Sequence, residues 1–307
     1  MYIVGIDENG FGPKLGPLVV TGTIFKIDDE YNNHNFKKTS LENRVEDSKD
    51  IFKQNIRSKA KGEDIVLSYY YLLFKKYPQD ADEFLSAIAF PSIFSNAYHC
   101  EGIYRKICWH PKLSIPIWER ETPSINPQWE TSLEEIQSII CCPREFNQEL
   151  KKNPNKMLVN LSYFERLMNY YQEKYGSNIL FLCGKIGGIK DYLKYSNFLN
   201  NKHRCQPLNI TDDVSSYLSS SLGKISFIKN GDQSEFPIAL ASIFGKYIRE
   251  IFIERLNLNF PAEIRNDHYI SGYYNHITDS FIKNVLSNYQ KLDIPESYLE
   301  NCFIRKK

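Results

Sequence analysis

The sequence predicts an α/β protein with short buried strands between helices. Apolar, β-branched runs at 2–6, 18–27, 178–184 and 225–229 each end at or within two residues of a glycine or an acidic residue. Runs of that length, bounded by turn formers, read as strands. Between and after them, the stretches at 65–77, 80–90, 158–175, 238–257 and 279–289 read as helices. A chain of 307 residues can bury a full core and suits one large domain with an insertion, or two domains.

Composition narrows the function classes. The net charge is +1, so no global field draws the chain to a polyanion, and any nucleic-acid footprint must be a local patch. Seven cysteines without regular spacing fit a reducing compartment better than a disulfide framework, and the expectation is a soluble, cytoplasmic protein. The chain starts directly in a strand, without a basic and then apolar leader. No apolar run approaches the ~20 residues that span a bilayer, so no membrane partner is expected.

The first strand ends in Asp7-Glu8, followed by Asn9-Gly10-Phe11-Gly12-Pro13-Lys14-Leu15-Gly16-Pro17. An acidic pair at the mouth of a buried strand is costly to desolvate, and a divalent metal is the usual compensation. Glycines there admit φ > 0 and let backbone N–H groups approach a ligand. A strand end with a solvated turn is the alternative. Adjacent residues face opposite ways in a regular strand, so the two acids share a site only if the chain bends at Asn9-Gly10. The polar stretch 28–44 reads as a loop, and Asp47-Ser48-Lys49 opens a charged segment to about 62, with Asp or Ser as a helix N-cap.

From 98 to 145 the texture is irregular or short-stranded, with prolines, all three tryptophans and four cysteines. Cys100, Cys108, Cys141 and Cys142 lack a zinc-knuckle spacing. The helix at 158–175 ends before Gly176, a plausible C′ residue. A glycine loop, Lys185-Ile186-Gly187-Gly188-Ile189-Lys190, leaves the strand at 178–184. With Lys194, Lys202, Arg204, Tyr192 and Tyr195 it forms a basic, aromatic stretch suited to nucleic acid, or a solvated lysine face. The strand at 225–229 leads into Asn230-Gly231-Asp232. Pro237 opens a helix whose Ala239, Ala241, Ser242 and Gly245 allow close packing on a sheet. Ser271-Gly272-Tyr273 follows.

Asp7-Glu8-Asn9-Gly10-Phe11-Gly12-Pro13, then Gly16-Pro17 and a second strand, resembles the opening motif of the ribonuclease HII family, Asp-Glu-x-Gly-Arg-Gly-Pro and Gly-Pro. Asp47-Ser48-Lys49, Gly231-Asp232 with the helix Ala241-Ser242-Ile243-Phe244-Gly245-Lys246, and Gly272-Tyr273 are similar to later family motifs in the same order. The resemblance implies a ribonuclease H-like mixed five-stranded sheet flanked by helices. Residues 1–62 and 158–257 would form the core, 63–157 an insertion, and 258–307 a C-terminal helical region on the substrate side.

It also implies an endoribonuclease dependent on Mg²⁺ or Mn²⁺, cutting the RNA strand of RNA–DNA hybrids or ribonucleotides embedded in DNA. Asp7, Glu8 and Asp232 would be catalytic and hold the metals. Gly10, Phe11 and Gly12 would lie against the scissile nucleotide, with Lys49 and Lys246 near phosphates, Ser242 on the substrate and Tyr273 under a sugar. Phe11 stands where the family has Arg. The family's third metal-binding Asp belongs at the end of Phe181-Leu182-Cys183-Gly184, where either Cys183 or Gly184 takes its place. Two cations held ~3.5–4 Å apart need several carboxylates, and a thiolate at Cys183 would be too soft for Mg²⁺. Asp191, Asp212 and Asp213 are the other nearby acids. A weakened relative that binds nucleic acid or a protein partner is the second reading, and another metal nuclease on this fold the third.

Overall fold

Strand β1 (Tyr2–Asn9) is covered on both faces, and its alternation decides what covers each. Val4 and Ile6 point into an apolar layer with Val20, Phe164 and Met168. Ile3 meets Leu182 and Ile238 on the opposite side. A computed structural model of the chain describes residues 1–27, 51–53, 55–90, 108, 111–118 and 133–306. Lys49 and the Asp-Ser-Lys triplet lie outside the described residues, as do His99 and Cys100.

β1 pairs antiparallel with β2 (Leu18–Lys26), which pairs antiparallel with β3 (Leu133–Cys141). On its other edge β1 runs parallel to β4 (Ile179–Gly184), and β4 runs parallel to β7 (Gly223–Ile228). β6 (Val214–Ser219) and β5 (Gln206–Ile210) extend that side antiparallel, giving the order β3-β2-β1-β4-β7-β6-β5. The sheet is mixed, as expected, but has seven strands rather than five. The strands without an expected apolar run are β3, β5 and β6. β5 is largely exposed and contains Pro207, which an edge strand tolerates. β6 is rich in serine, and β3 carries Glu134, Glu135 and Gln137 among its apolar residues. A strand near a sheet edge does not need the continuous hydrophobic run of a central parallel strand.

Helix α1 (Ile56–Phe74) starts nine residues before the expected 65, at an Asn55 cap whose side chain accepts the Ser58 N–H. Its first turns are basic, which hid them from a reading by apolar period. α2 (Ala81–Ile88) is capped by Asp80. The region read as irregular or short-stranded holds β3 and the start of α3 (Pro143–Lys152). α4 (Lys156–Tyr175) ends at Gly176, which has φ +85°. α5 (Phe236–Asn259) and α6 (His276–Asn288) complete the larger helices. The boundaries expected at 62/63 and 157/158 fall inside α1 and α4, and β3 of the expected insertion is an integral sheet strand.

α5 crosses one face of the sheet so closely that a Cβ on Gly5 would lie 2.1 Å from the Pro237 carbonyl carbon. Thr23 Oγ1 donates to the Pro237 carbonyl at 2.9 Å, fixing the contact. α1 and α2 pack outside α5 in one apolar cluster. On the other face α4 is anchored by Tyr171, whose hydroxyl donates to the Gly22 carbonyl at 2.8 Å. A third cluster, including Leu15, Phe260, Phe281 and Phe303, joins the C-terminal helices to the loop after β1. Tyr192, read as part of a nucleic-acid stretch, is instead a core residue stacked on Phe227. Lys190 and Lys194 are paired with Asp212 and Asp191. No helix among the described residues is long and apolar enough to cross a membrane.

Candidate active site

The carboxyl ends of β1, β4 and β7 meet at a cavity of about 690 Å³. Asp7, Glu8, Gly10, Phe11, Gly12, Gly184, Asp232, Ser242, Lys246 and Tyr273 all line it, so ten of the expected site residues come from four distant segments to one place. Lys53, Lys185 and Asn230 line it as well. Lys53 falls in the charged segment that follows Asp47-Ser48-Lys49, and Asn230 in the turn that the strand at 225–229 leads into. An Asn-Gly step at the carboxyl end of a central strand was the available signal for Asn230.

The two acids of β1 keep the alternation of a regular strand. Asn9, two residues beyond Asp7, faces α5 and donates from Nδ2 to the Ser242 carbonyl at 2.9 Å. Asp7 shares that face, whereas Glu8 turns towards Asn160 on α4. The acids share a cavity because it lies over the strand end rather than on one face of the sheet. Gly10, at φ +82°, then turns the chain into the glycine loop. Burial raises the pKa of Glu8 well above the ordinary value, and the neighbouring Asp7 charge raises it further. The Asn160 side chain and the Glu8 backbone oppose this, and Asp232 adds a smaller repulsion. Asp232 sits in a one-turn helix after β7, reached through Asn230 in the left-handed region at φ 52°.

Strand pairing separates the two positions, Cys183 and Gly184, where the resemblance places a further Asp. Ile6 pairs with Cys183, and both side chains enter the α4-side core. Cys183 is fully buried, and desolvation, followed by the Asp7 charge, raises its thiol pKa well above the ordinary value. A neutral core thiol is no ligand for a hard cation. Gly184 faces the cavity, and a Cβ built there would stand 2.2 Å from Asp7 Oδ1. The Asp7 carboxylate thus fills the space a side chain at 184 would need. Asp212 is tied to Lys190, Asp213 to Lys229, and Asp191 interacts with Lys194 and the Tyr217 hydroxyl. Among the described residues no three His, Cys, Asp or Glu side chains converge closely enough to hold a metal ion.

The opposite wall is built from α5 and the Ser271-Gly272-Tyr273 turn. The backbone N–H groups of Lys14 and Leu15 donate to the Gly272 carbonyl at 2.8 and 3.2 Å, clipping the glycine loop to that turn. Lys246 lies 5.5 Å from the Tyr273 ring centre and pairs with Glu250 at 3.0 Å. Glu250 also meets Lys59 of α1 at 3.1 Å. Phe11 packs its ring partly against the α4-side core, so it contributes an apolar surface and no charge to the cavity wall.

No family model matches the chain. It is 33% identical over 105 residues to a ribonuclease HII of Sulfolobus acidocaldarius, a match that covers 34% of this chain and 45% of that protein. The chain therefore spans about half the length of the curated relative it matches. Ribonuclease H2 from Pyrococcus horikoshii aligns over 96% of this chain and 90% of its own, at 14% identity and a TM-score of 0.49. The RNase HII of Archaeoglobus fulgidus, solved in complex with PCNA, aligns over the same shares at 15% identity and a TM-score of 0.47. The ordered motifs resemble those of ribonuclease HII, and the similarity to the curated relative covers part of each chain.

Proposed function

We propose that the chain is a metal-dependent phosphodiester hydrolase of ribonuclease HII type, acting on the RNA strand of RNA–DNA duplexes or on ribonucleotides embedded in DNA. One observation carries this reading: a single cavity at the strand ends gathers three carboxylates, a glycine loop, a lysine and an exposed tyrosine. The acids supply only hard oxygen donors, which suit Mg²⁺ or Mn²⁺. Mg²⁺ is commonly held by one or two carboxylates together with substrate phosphates, so a cavity without three converged acids fits that donor set. Asp7, Glu8 and Asp232 do not close a three-carboxylate cage, so one or two of them at a time would hold a cation together with substrate phosphates, and a cation there would activate water and stabilise charge on the phosphate.

The remaining residues position the substrate. The turn at Gly10 brings loop backbone towards a nucleotide, with the Phe11 ring offering an apolar face. Lys246, oriented by Glu250, is placed for a phosphate, and Tyr273, 40% exposed, for packing beneath a sugar. Lys49 keeps its proposed place near the phosphates on the motif alone.

A second reading has its own observation. Asp7 occupies the space of the missing side chain at 184, which favours a weakened relative that binds a duplex and turns it over slowly. Cleavage of a duplex with one ribonucleotide, beside a full hybrid, in Mg²⁺ and in Mn²⁺, separates the two. Cutting by the wild type that Asp7→Asn abolishes supports the nuclease. Binding without cutting, with cutting gained in Gly184→Asp, supports the weakened relative. Neither cutting nor binding by any variant overturns both.

A further inference from the structure

Two buried guanidinium groups lie beneath the glycine loop. Arg249 of α5 is fully buried, and Arg305, near the C-terminal end, is 3% exposed. Arg249 passes under Gly10, where a Cβ would come within 3.0 Å of its Cδ. Its Nη2 donates to the Ser271 carbonyl at 2.8 Å. Arg305 donates from Nε to the Pro13 carbonyl at 3.0 Å, and from Nη2 to the same oxygen. The Arg305 N–H donates to the Lys14 carbonyl at 2.9 Å. Asn147 of α3 locks the segment by accepting the Lys306 N–H at 2.7 Å and donating to the Ile304 carbonyl at 2.9 Å.

The charges of this pair are poorly compensated. Arg249 Nε and Nη1 and Arg305 Nη1 have no hydrogen-bond partner among the described residues. The carboxylate nearest Arg249 is Glu250, 3.5 Å from Nη1, and Glu250 already faces Lys246 and Lys59. Burial, then the Arg249 charge, lowers the Arg305 pKa to about 10, which leaves it protonated at neutral pH. Buried cations without matching carboxylates are destabilising. Their field is screened little inside the protein and emerges where the overlying layer is thin. Here that layer is the loop of residues 10–13, whose own side chain at position 11 is an uncharged phenylalanine.

We propose that Arg305, with Arg249, forms a buried cationic floor that gives the glycine loop the positive potential for a nucleic-acid phosphate that Phe11 does not supply. This rests on the nucleic-acid reading of the cavity. Arg305 acts through the loop, as a positioning and electrostatic residue, and its contribution ties substrate affinity to the C-terminal segment.

The test is binding of a fluorescein-labelled RNA–DNA duplex to the full chain in Ca²⁺, followed by anisotropy at about 50 and about 300 mM KCl, where screening lengths differ. Arg305→Gln keeps a donor for the Pro13 carbonyl and loses the charge; Arg305→Lys keeps both. A unit charge acting through about 10 Å of partly screened medium corresponds to about three- to fivefold in affinity. The Gln variant should bind that much more weakly at low salt and match the wild type at high salt. The Lys variant should bind like the wild type, and adding Phe11→Arg to the Gln variant should restore binding. Unchanged low-salt binding by Arg305→Gln overturns the inference. Equal weakening by Gln and Lys also overturns it, because it would make Arg305 a strut. If Arg305→Gln does not fold, Arg249→Gln takes its place, with the same low-salt loss of about three- to fivefold expected. Unchanged low-salt binding by that variant overturns the inference. A wild type that binds no duplex overturns the nucleic-acid reading along with this inference; one that binds or cuts, with Arg305→Gln unaffected, overturns this inference alone.

Discussion

Glu250→Gln is the perturbation whose size the structure sets most directly. The Glu250 side chain is 8% exposed and touches three cations: Lys246 at 3.0 Å, Lys59 at 3.1 Å and Arg249 at 3.5 Å. Burial works to raise its pKa, but the charges of Lys246, Lys59 and Arg249, with the Lys246 hydrogen bond, hold it at about 2 against an ordinary 4.5. At about 1.4 kcal/mol per pH unit, that depression is worth about 3 kcal/mol of folding stability. A carboxylate with a depressed folded-state pKa stabilises fully above its unfolded value and loses that contribution as the pH falls through the folded one. The wild type should therefore exceed Glu250→Gln by about 3 kcal/mol at neutral pH. The gap should narrow below about pH 4.5 and close near pH 2. Urea unfolding across that range measures it. Equal stabilities at neutral pH, or a gap that stays constant down to pH 3, would refute the argument that Glu250 is the hub joining α1 to the cavity wall.

Three further outcomes can be checked alongside. Gly5→Ala would drive a Cβ to 2.1 Å from Pro237 backbone. It should cost at least about 3 kcal/mol in thermal or urea unfolding, since backbone cannot yield as a side chain can. Glu63, fully buried, accepts the Ile117 and Trp118 N–H groups and the Tyr247 hydroxyl. Glu63→Gln should cost about 1–3 kcal/mol and speed hydrogen exchange at the Ile117 and Trp118 amides. Cys183, buried with a raised pKa, should resist alkylation at pH 8 in the native protein and react once unfolded, as read by mass spectrometry of the modified peptides.

How much was legible depended on whether local pattern or tertiary pairing carried the information. Asp7-Glu8 and the glycine loop stood out because an apolar run ending in two acids has few alternative explanations. Cys183 and Gly184 could not be told apart from sequence. Which of two neighbouring residues faces the cavity depends on alternation relative to the adjacent strand, and the Ile6–Cys183 register settles it. Arg249 and Glu250 carry no local signal of burial, since Lys246 and Glu250 have the i,i+4 spacing of an ordinary solvated ion pair. Only contact with Lys59 of α1 makes that pair a buried network. Nothing local in Ile304-Arg305-Lys306 marks Arg305 as buried, and only Pro13 and Phe146 beside it show that it is.

The lack of a carboxylate at 184 and the position of Asp7 are linked. A side chain at 184 and the present Asp7 carboxylate exclude each other, because the first atom of that side chain would lie 2.2 Å from Oδ1. Oδ1 is the far end of a rotatable side chain, so Gly184→Asp demands a rotation of Asp7 rather than a change of fold. Such a rotation takes Asp7 from the space over β4 and returns a carboxylate there, so one substitution alters two donors of the cavity. The charge rises at the same time, since Asp7 and Asp232 already repel Glu8. A fourth acid is therefore stable in its ionised form only with a cation among them. On the nuclease reading, Gly184→Asp should lower melting temperature in metal-free buffer and recover it in Mg²⁺ or Mn²⁺ by more than the wild type does. A loss of stability that neither metal restores would mean that Asp7 packs over β4 as a structural element, and that the cavity was not built for a fourth carboxylate.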